Sequence, residues 1–333
     1  MKVLLIANYR QNSGGISGQV RLLFENLINE GEDVAVFSTI GNPLKRLYLF
    51  LKLFIVGIKY DVFHVHACSR WGILPAVMGV IVGKCLRKKV ILTYHGGGAD
   101  AFFSRYTRLV KWICLNTDYN IVLSGFLARI FDKYMFPYVE LPNIIEVKSD
   151  IYRPKKIIRP YFISVRSLEP LYNILCIIKA FSIVKESLPD AELHILADGS
   201  EKANLEQYVK ENQIVDVTFH GRVHNQEIDN YLMKADVFVS SPKIDNQPMS
   251  ILEAFRAGLL VISSNVGGVP YLVENGVTGR LFPNDDHEEL AKIMIDVIRN
   301  PEESLEMIDK AHSELDKYTW MSIKPKLFSL YNG

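Results

Sequence analysis

Residues 2–38 read KVLLIANYRQNSGGISGQVRLLFENLINEGEDVAVFS, and this stretch decides the architecture. Lys2 to Ala7 and Asp33 to Ser38 are short apolar runs of strand type. Between them Val20, Leu23, Phe24, Leu27 and Ile28 recur at the spacing of an amphipathic helix, which Gly31 stops. Two strands joined through a helix make a βαβ unit, whose strands run parallel. Working outward, further strands are predicted at Val62 to Val65, Val90 to Thr93 and Ile121 to Leu123. From Ile144 to Pro160 the period lapses among charges and two prolines, which reads as a linker. A second series follows at Tyr161 to Val165, Glu192 to Leu196, Val217 to Phe219, Val237 to Ser240, Leu260 to Ser263 and Arg280 to Phe282, with helical stretches such as Ile174 to Glu186 between strands. The reading is α/β: two Rossmann-like domains with parallel sheets, residues 1–150 and 151–315. A C-terminal helix, 316–333, should pack back on the first domain through Trp320, Ile323, Leu327, Leu330 and Tyr331. Open parallel sheets bind ligands at the carboxyl ends of their strands, so a cleft between the domains is the expected site.

Composition agrees. The chain has 333 residues, 49% hydrophobic and 23% charged, too many for one core and too apolar for a disordered chain. A net charge of +1 argues against a nucleic-acid partner. The charge is unevenly spread: residues 1–150 hold 18 basic and 11 acidic side chains, net +7, and the remainder is net −6. Cys68, Cys85, Cys114 and Cys176 have no metal-binding spacing and read as reduced, buried thiols. Five apolar residues after Lys2 are too few for a secretory segment, and no apolar stretch exceeds about 12 residues, short of the roughly 20 that span a bilayer. A cytoplasmic protein is expected.

Gly14-Gly15-Ile16-Ser17 opens the first helix, where backbone amides and the helix dipole can hold an anion; a plain tight turn is the alternative. GxGxxG is absent and no acidic residue closes the second strand, which disfavours a dinucleotide site. In the second domain, Ser240-Ser241-Pro242-Lys243-Ile244-Asp245-Asn246-Gln247-Pro248-Met249-Ser250-Ile251-Leu252-Glu253 places Asp245 and Glu253 seven residues apart across a strand-to-helix turn, with Gly267-Gly268 downstream. Ser250-x-x-Glu253 can also be read as a capping box.

At these residues the chain resembles the retaining family 4 glycosyltransferases of GT-B fold, which carry an acidic-x7-acidic motif and a downstream Gly-Gly loop. DVFHVH (61–66), LTYHGG (92–97), VLSGFL (122–127) and LPNII (141–145) look like that family's N-domain landmarks. PDAELHILADGSE (189–201), VTFHGRV (217–223), ADVFVSS (235–241) and NGVTGRLFP (275–283) look like its donor domain, in the family's order. The resemblance implies that a nucleoside diphosphate sugar binds mainly the second domain and an acceptor the first, with retention of configuration and no metal or other cofactor. It implies that Glu253 holds the ribose hydroxyls and that Asp245, with Asn246 and Gln247, meets the sugar. Gly15, Val223, Pro248, Met249, Ser250, Gly267 and Gly268 complete the implied donor set, and Gly14, Gly15 and His95 the acceptor set. His95, Arg166 and Asp245 are the implied catalytic residues, Arg166 because a departing diphosphate needs positive charge. Two positions depart from the pattern: Asp245 where Glu is common, and Tyr172 where a second diphosphate-binding residue is usually Lys.

Leu44 to Ile55 mixes long apolar residues with Lys45, Arg46 and Lys52, and Leu86-Arg87-Lys88-Lys89 adds a second basic cluster. This suits peripheral contact with an anionic membrane and a lipid-linked saccharide acceptor; a buried helix with a solvated basic edge is the alternative. The expected function is sugar transfer in bacterial surface-polysaccharide (lipopolysaccharide or capsule) or glycolipid assembly. A nucleotide-sugar epimerase of GT-B fold and an inactive sugar-nucleotide-binding module are the competing readings.

Overall fold

A computed structural model describes residues 1–11, 14–147, 151–152 and 154–333. They form two compact units: Met1–Glu146 with Tyr318–Gly333, and Val147–Lys317. The boundary expected after residue 150 falls outside the described residues.

The first unit contains β1 (Lys2–Ala7), α1 (Ile16–Asn29), β2 (Asp33–Ser38), α2 (Pro43–Gly57), β3 (Val62–Ala67), α3 (Leu74–Cys85), β4 (Lys89–Tyr94), α4 (Ala99–Arg105), α5 (Thr107–Leu115), β5 (Tyr119–Val122), α6 (Gly125–Lys133) and β6 (Val139–Glu140). The sheet is parallel, in the order β2-β1-β3-β4-β5-β6. Strand alternation sends Leu4 and Ile6 of β1 into one core and Val3, Leu5 and Ala7 into another, so this strand is buried on both faces. The first core is covered by α3, whose Gly79 and Gly83 sit against β3 and β4. A Cβ at these two positions would lie 2.5 Å from Val65 Cγ2 and 2.4 Å from Val90 Cγ2, so only glycine lets the helix come this close. The other core takes α1 and the C-terminal helix Trp320–Asn332, through Ile323, Leu327, Leu330 and Tyr331.

In the second unit β7 (Tyr161–Ser164), α7 (Ile174–Ser187), β8 (Glu192–Ile195), α8 (Lys202–Glu211), β9 (Val217–Phe219), α9 (Asn225–Leu232), β10 (Val237–Ser240), α10 (Met249–Arg256), β11 (Leu260–Ser264), β12 (Arg280–Phe282), α11 (His287–Arg299) and α12 (Pro301–Ser313) follow one another. The sheet is again parallel, β12-β11-β10-β7-β8-β9. The order reverses between β7 and β10, a topological switch point.

The unit boundary falls within the stretch read as a linker, one expectation needs correction, and two features go beyond the sequence reading. The two-residue β6 escapes the sequence reading because it is too short to show a period. The stretch read as a linker carries buried apolar anchors: Ile144, Ile145, Ile151 and Ile158 are all under a tenth exposed. Gln19 clamps the first of them, its Nε2 donating to the Ile144 carbonyl and its Oε1 accepting from the Ile144 N–H, both at 3.0 Å. Of the four free thiols, Cys114 and Cys176 are buried and Cys68 half-buried, but Cys85 is exposed because it ends α3 beyond Gly83, the last glycine against the sheet.

Candidate functional site

Arg166 stands two residues past the end of β7, and Asp245 and Glu253 follow β10, so the switch point of the second unit brings together residues 79 positions apart. The loop that carries Arg166 is held from two sides. The Leu168 N–H donates to the Asp198 carbonyl at 3.2 Å and the Leu168 carbonyl accepts from Glu201 N–H at 2.8 Å, while Gly199 packs so closely that a Cβ there would lie 2.3 Å from the Leu168 oxygen. Lys243 N–H donates to the Leu171 carbonyl at 2.8 Å, and the Ser241 hydroxyl reaches the carbonyls of Asn173 (2.7 Å) and Tyr172 (3.2 Å). Asn173 then turns left-handed, φ 48°, a conformation Asn tolerates, and opens α7.

These anchors place the Tyr172 ring under the Arg166 guanidinium, 4.2 Å from the carbon to the ring centroid. Arg166 Nη2 donates to Asp245 Oδ2, Nη1 donates to the Ser250 hydroxyl at 3.0 Å, and Nε is buried with no partner among the described residues. Asp245 accepts the Asn246 N–H on its other oxygen at 2.8 Å, so about half of the roughly four acceptor sites of a carboxylate are still open. Tyr172 thus offers an aromatic face on which the Arg166 guanidinium rests.

Asn246, Gln247 and Ser250 are buried beside it. The Gly-Gly loop wraps this turn: Gly268 N–H donates to the Asp245 carbonyl at 2.8 Å, and Gly267, at φ +53°, passes so near that a Cβ would sit 2.1 Å from the same oxygen. At Gly268 a Cβ would overlap the Asn246 carbonyl oxygen. These glycines thus serve close backbone packing, and the Gly268 amide is spent within the protein. Val223 lies in the loop between β9 and α9.

The capping box does not form. Pro248 occupies the cap position of α10, which puts Met249 and Ser250 inside the helix, and no side chain caps it. Glu253 is left partly buried, with Arg256, Asp229 and Arg166 as charged neighbours, and its carboxylate makes no hydrogen bond with a described residue. Burial, the largest influence, pushes its pKa above the ordinary glutamate value.

The first unit brings together a different set. Gly15 caps α1 at φ 59°, ψ −133°, with no side-chain bond to the helix amides, and Gly14 beside it is exposed. His95 follows β4; its ring Nε2 is 3.0 Å from His66 Nδ1, and His66 stacks between His95 and His64. His64 bonds separately, Nε2 with the Thr93 hydroxyl and Nδ1 with the Tyr331 hydroxyl, both at 2.7 Å, and His66 Nε2 is buried with no partner among the described residues. The histidines border a cavity of about 40 Å³ lined also by Gln19, Asn143 and Leu327. Burial drives His64 and His95 down to about 3 and His66 well below the ordinary histidine value, so all three are neutral near pH 7. The sequence singles out His95, while His64 and His66 stand there only within DVFHVH; their i, i+2 spacing on β3, which points both rings to one face, is the signal that joins them to it. Among the described residues no group of three or more His, Cys, Asp or Glu side chains is placed to hold a metal ion.

Comparison with known proteins places this geometry. Residues 149–314 match the family model described as glycosyl transferases group 1. A sulfoquinovosyl transferase of Arabidopsis thaliana is 29% identical over 82% of this chain, which spans 56% of that protein. A UDP-Gal:alpha-D-GlcNAc-diphosphoundecaprenol alpha-1,3-galactosyltransferase of Escherichia coli is 28% identical over 72% of this chain and 66% of its own length. Among solved structures, the Anabaena protein HepE in complex with UDP and glucose superposes with a TM-score of 0.80 at 17% identity, covering 100% of this chain and 99% of that one.

Proposed function

The chain belongs to the glycosyl transferases group 1, with the GT-B fold; from that premise we propose that it moves a sugar from a nucleoside diphosphate sugar to a lipid-linked saccharide acceptor, with retention of configuration. The observation that carries the proposal is the cluster at the second switch point, where Arg166 Nε is buried with no partner among the described residues and Glu253, its charged neighbour, has a pKa raised by burial. A buried polar group without a partner is costly unless a ligand completes it. Glu253 then accepts from the ribose hydroxyls, Arg166 faces the diphosphate, and Asp245 uses its open acceptor sites on the sugar. Val223, Gln247, Pro248, Met249 and the Gly267-Gly268 loop shape the same donor site; Gly14, Gly15 and His95 serve the acceptor side.

In the transfer, the bond from the anomeric carbon to the diphosphate oxygen breaks with its electron pair leaving on that oxygen, whose growing charge Arg166 stabilises. The acceptor hydroxyl bonds to the same face of the carbon and its proton passes to the departing phosphate. His95, neutral with a pKa near 3, contributes a hydrogen bond rather than a proton. Arginine charge does the work a metal ion does elsewhere, so the reading requires no metal or cofactor. The Escherichia coli relative acts, by name, on a diphosphoundecaprenol-linked sugar, which supports a lipid-linked acceptor; a role in surface-polysaccharide or glycolipid assembly at the cytoplasmic face of a membrane is part of the same proposal. Mass spectrometry of mixtures holding UDP- or GDP-sugars and lipid-linked acceptors tests it: an acceptor gaining one sugar, with free nucleoside diphosphate, is the expected result. An isomerised donor with no acceptor product means an epimerase, and bound but unchanged donor an inactive module.

A further inference from the structure

Helix α2 is apolar on the side that faces water. Its inner side packs normally: Leu53 and Gly57 are buried, and a Cβ at Gly57 would lie 2.5 Å from Phe63. Its outer side carries Leu44, Leu47, Tyr48, Leu51 and Ile55, continued by Ile58, with Leu44 79% and Ile55 73% exposed. At 100° per residue these six fall within an arc of about 100°, the width of a stripe that ordinarily faces a core. Trp71, 74% exposed, lies 5.8 Å from the guanidinium of Arg46, which stands on the other side of the helix from this stripe. An apolar patch of this kind marks an interaction surface.

The charges say which. Lys45, Lys52 and Lys59 recur every seven residues and form an exposed row along one margin of the stripe, and residues 34–60 contain no Asp or Glu. At the far end Lys88 donates to the Ile58 carbonyl at 3.0 Å, which brings exposed Arg87 alongside. Apolar side chains edged by cations without an acid complement a bilayer with anionic headgroups: the stripe enters the acyl boundary while the amines stay at the phosphates. With 15 residues, α2 reaches about 22 Å, too short to cross about 30 Å of hydrocarbon, so it lies in the plane.

We propose that the outer face of α2 seats the chain on an anionic lipid bilayer by inserting its apolar stripe. This deepens the lipid-acceptor reading and rests on it, but it is tested without donor or acceptor, so either can fail alone. Co-sedimentation with vesicles of phosphatidylcholine, with or without about one-third phosphatidylglycerol, should show binding only to the anionic set, part of it surviving at about 1 M salt, where the Debye length is about 3 Å. Leu51→Ser with Ile55→Ser, both at exposed positions, should lower binding about tenfold and abolish the salt-resistant part. Lys45→Glu with Lys52→Glu should lower it about tenfold at low salt. Wild-type chain that ignores anionic vesicles, or binding that vanishes at high salt and is indifferent to the serine pair, overturns the proposal. So does a solution dimer, seen by sedimentation velocity, that the serine pair dissociates while vesicle binding is unchanged.

Discussion

The two units solve the burial of polar groups in opposite ways. In the first, His64 bonds Thr93 and Tyr331 while His66 bonds His95 and stacks on His64, His66 Nε2 has no partner among the described residues, and burial keeps the rings uncharged. In the second, Arg166 pairs with Asp245, and the guanidinium is steadied by one carboxylate, one hydroxyl and one aromatic face. A neutral network can position a reactant but cannot offset developing charge; an ionic one can. Under the proposed transfer, this difference gives the leaving-group chemistry to the second unit and hydrogen-bonded positioning to the first.

Arg166→Ala removes the main positive group and should lower the transfer rate by roughly 100-fold or more in single-turnover assays. Arg166→Lys should restore little, because an ammonium cannot bond two partners and stack on Tyr172 at once. A wild-type rate in either variant would break the contrast between the units.

The neutral network makes an acid prediction. The folded-state pKa values of His64 and His95, about 3, lie below the ordinary 6.5 of the unfolded chain, so below pH 6.5 the unfolded state binds more protons and stability falls as pH falls. Each of these histidines should cost about 1 kcal/mol between pH 7 and 5.5, read from urea unfolding. Transfer by folded enzyme should show no limb near 6.5 that His95→Asn removes; such a limb would mean that His95 titrates in function.

The smallest effect is expected at Tyr172. Tyr172→Phe keeps the ring face and should change the rate less than about threefold, whereas Tyr172→Leu should lower kcat about tenfold, the scale of a lost cation–π contact, with KM for the donor little changed. Tyr172→Lys sharpens the point: a site short only of charge gains activity, and one that depends on the stacked ring loses it.

Much of the fold was legible because parallel strands buried on both faces read as apolar runs and their crossover helices keep a 3.6 period. Where local pattern is faint, legibility ended: β6 has two residues, and the isoleucines at 144, 145, 151 and 158 sit among charges that mask them. Candidate site residues were visible by type and spacing, but not their partners. That Arg166 meets Asp245 depends on the strand order that places β7 beside β10, and that His66 meets His95 on the register of β3 with β4. The capping-box alternative failed by two residues, since Pro248 takes the cap and carries Ser250 into the helix.

The most direct test is a calorimetric titration of a nucleoside diphosphate into the wild-type chain and into Glu253→Gln near neutral pH, with thermal melting of both. Because burial raises the Glu253 pKa, its charged form costs stability above that pKa, and the amide relieves this. The account predicts that wild type binds, that the variant binds about tenfold more weakly for want of one charged acceptor, and that its melting temperature does not fall. Equal affinity for both chains, or a variant that binds normally and melts earlier, would contradict it.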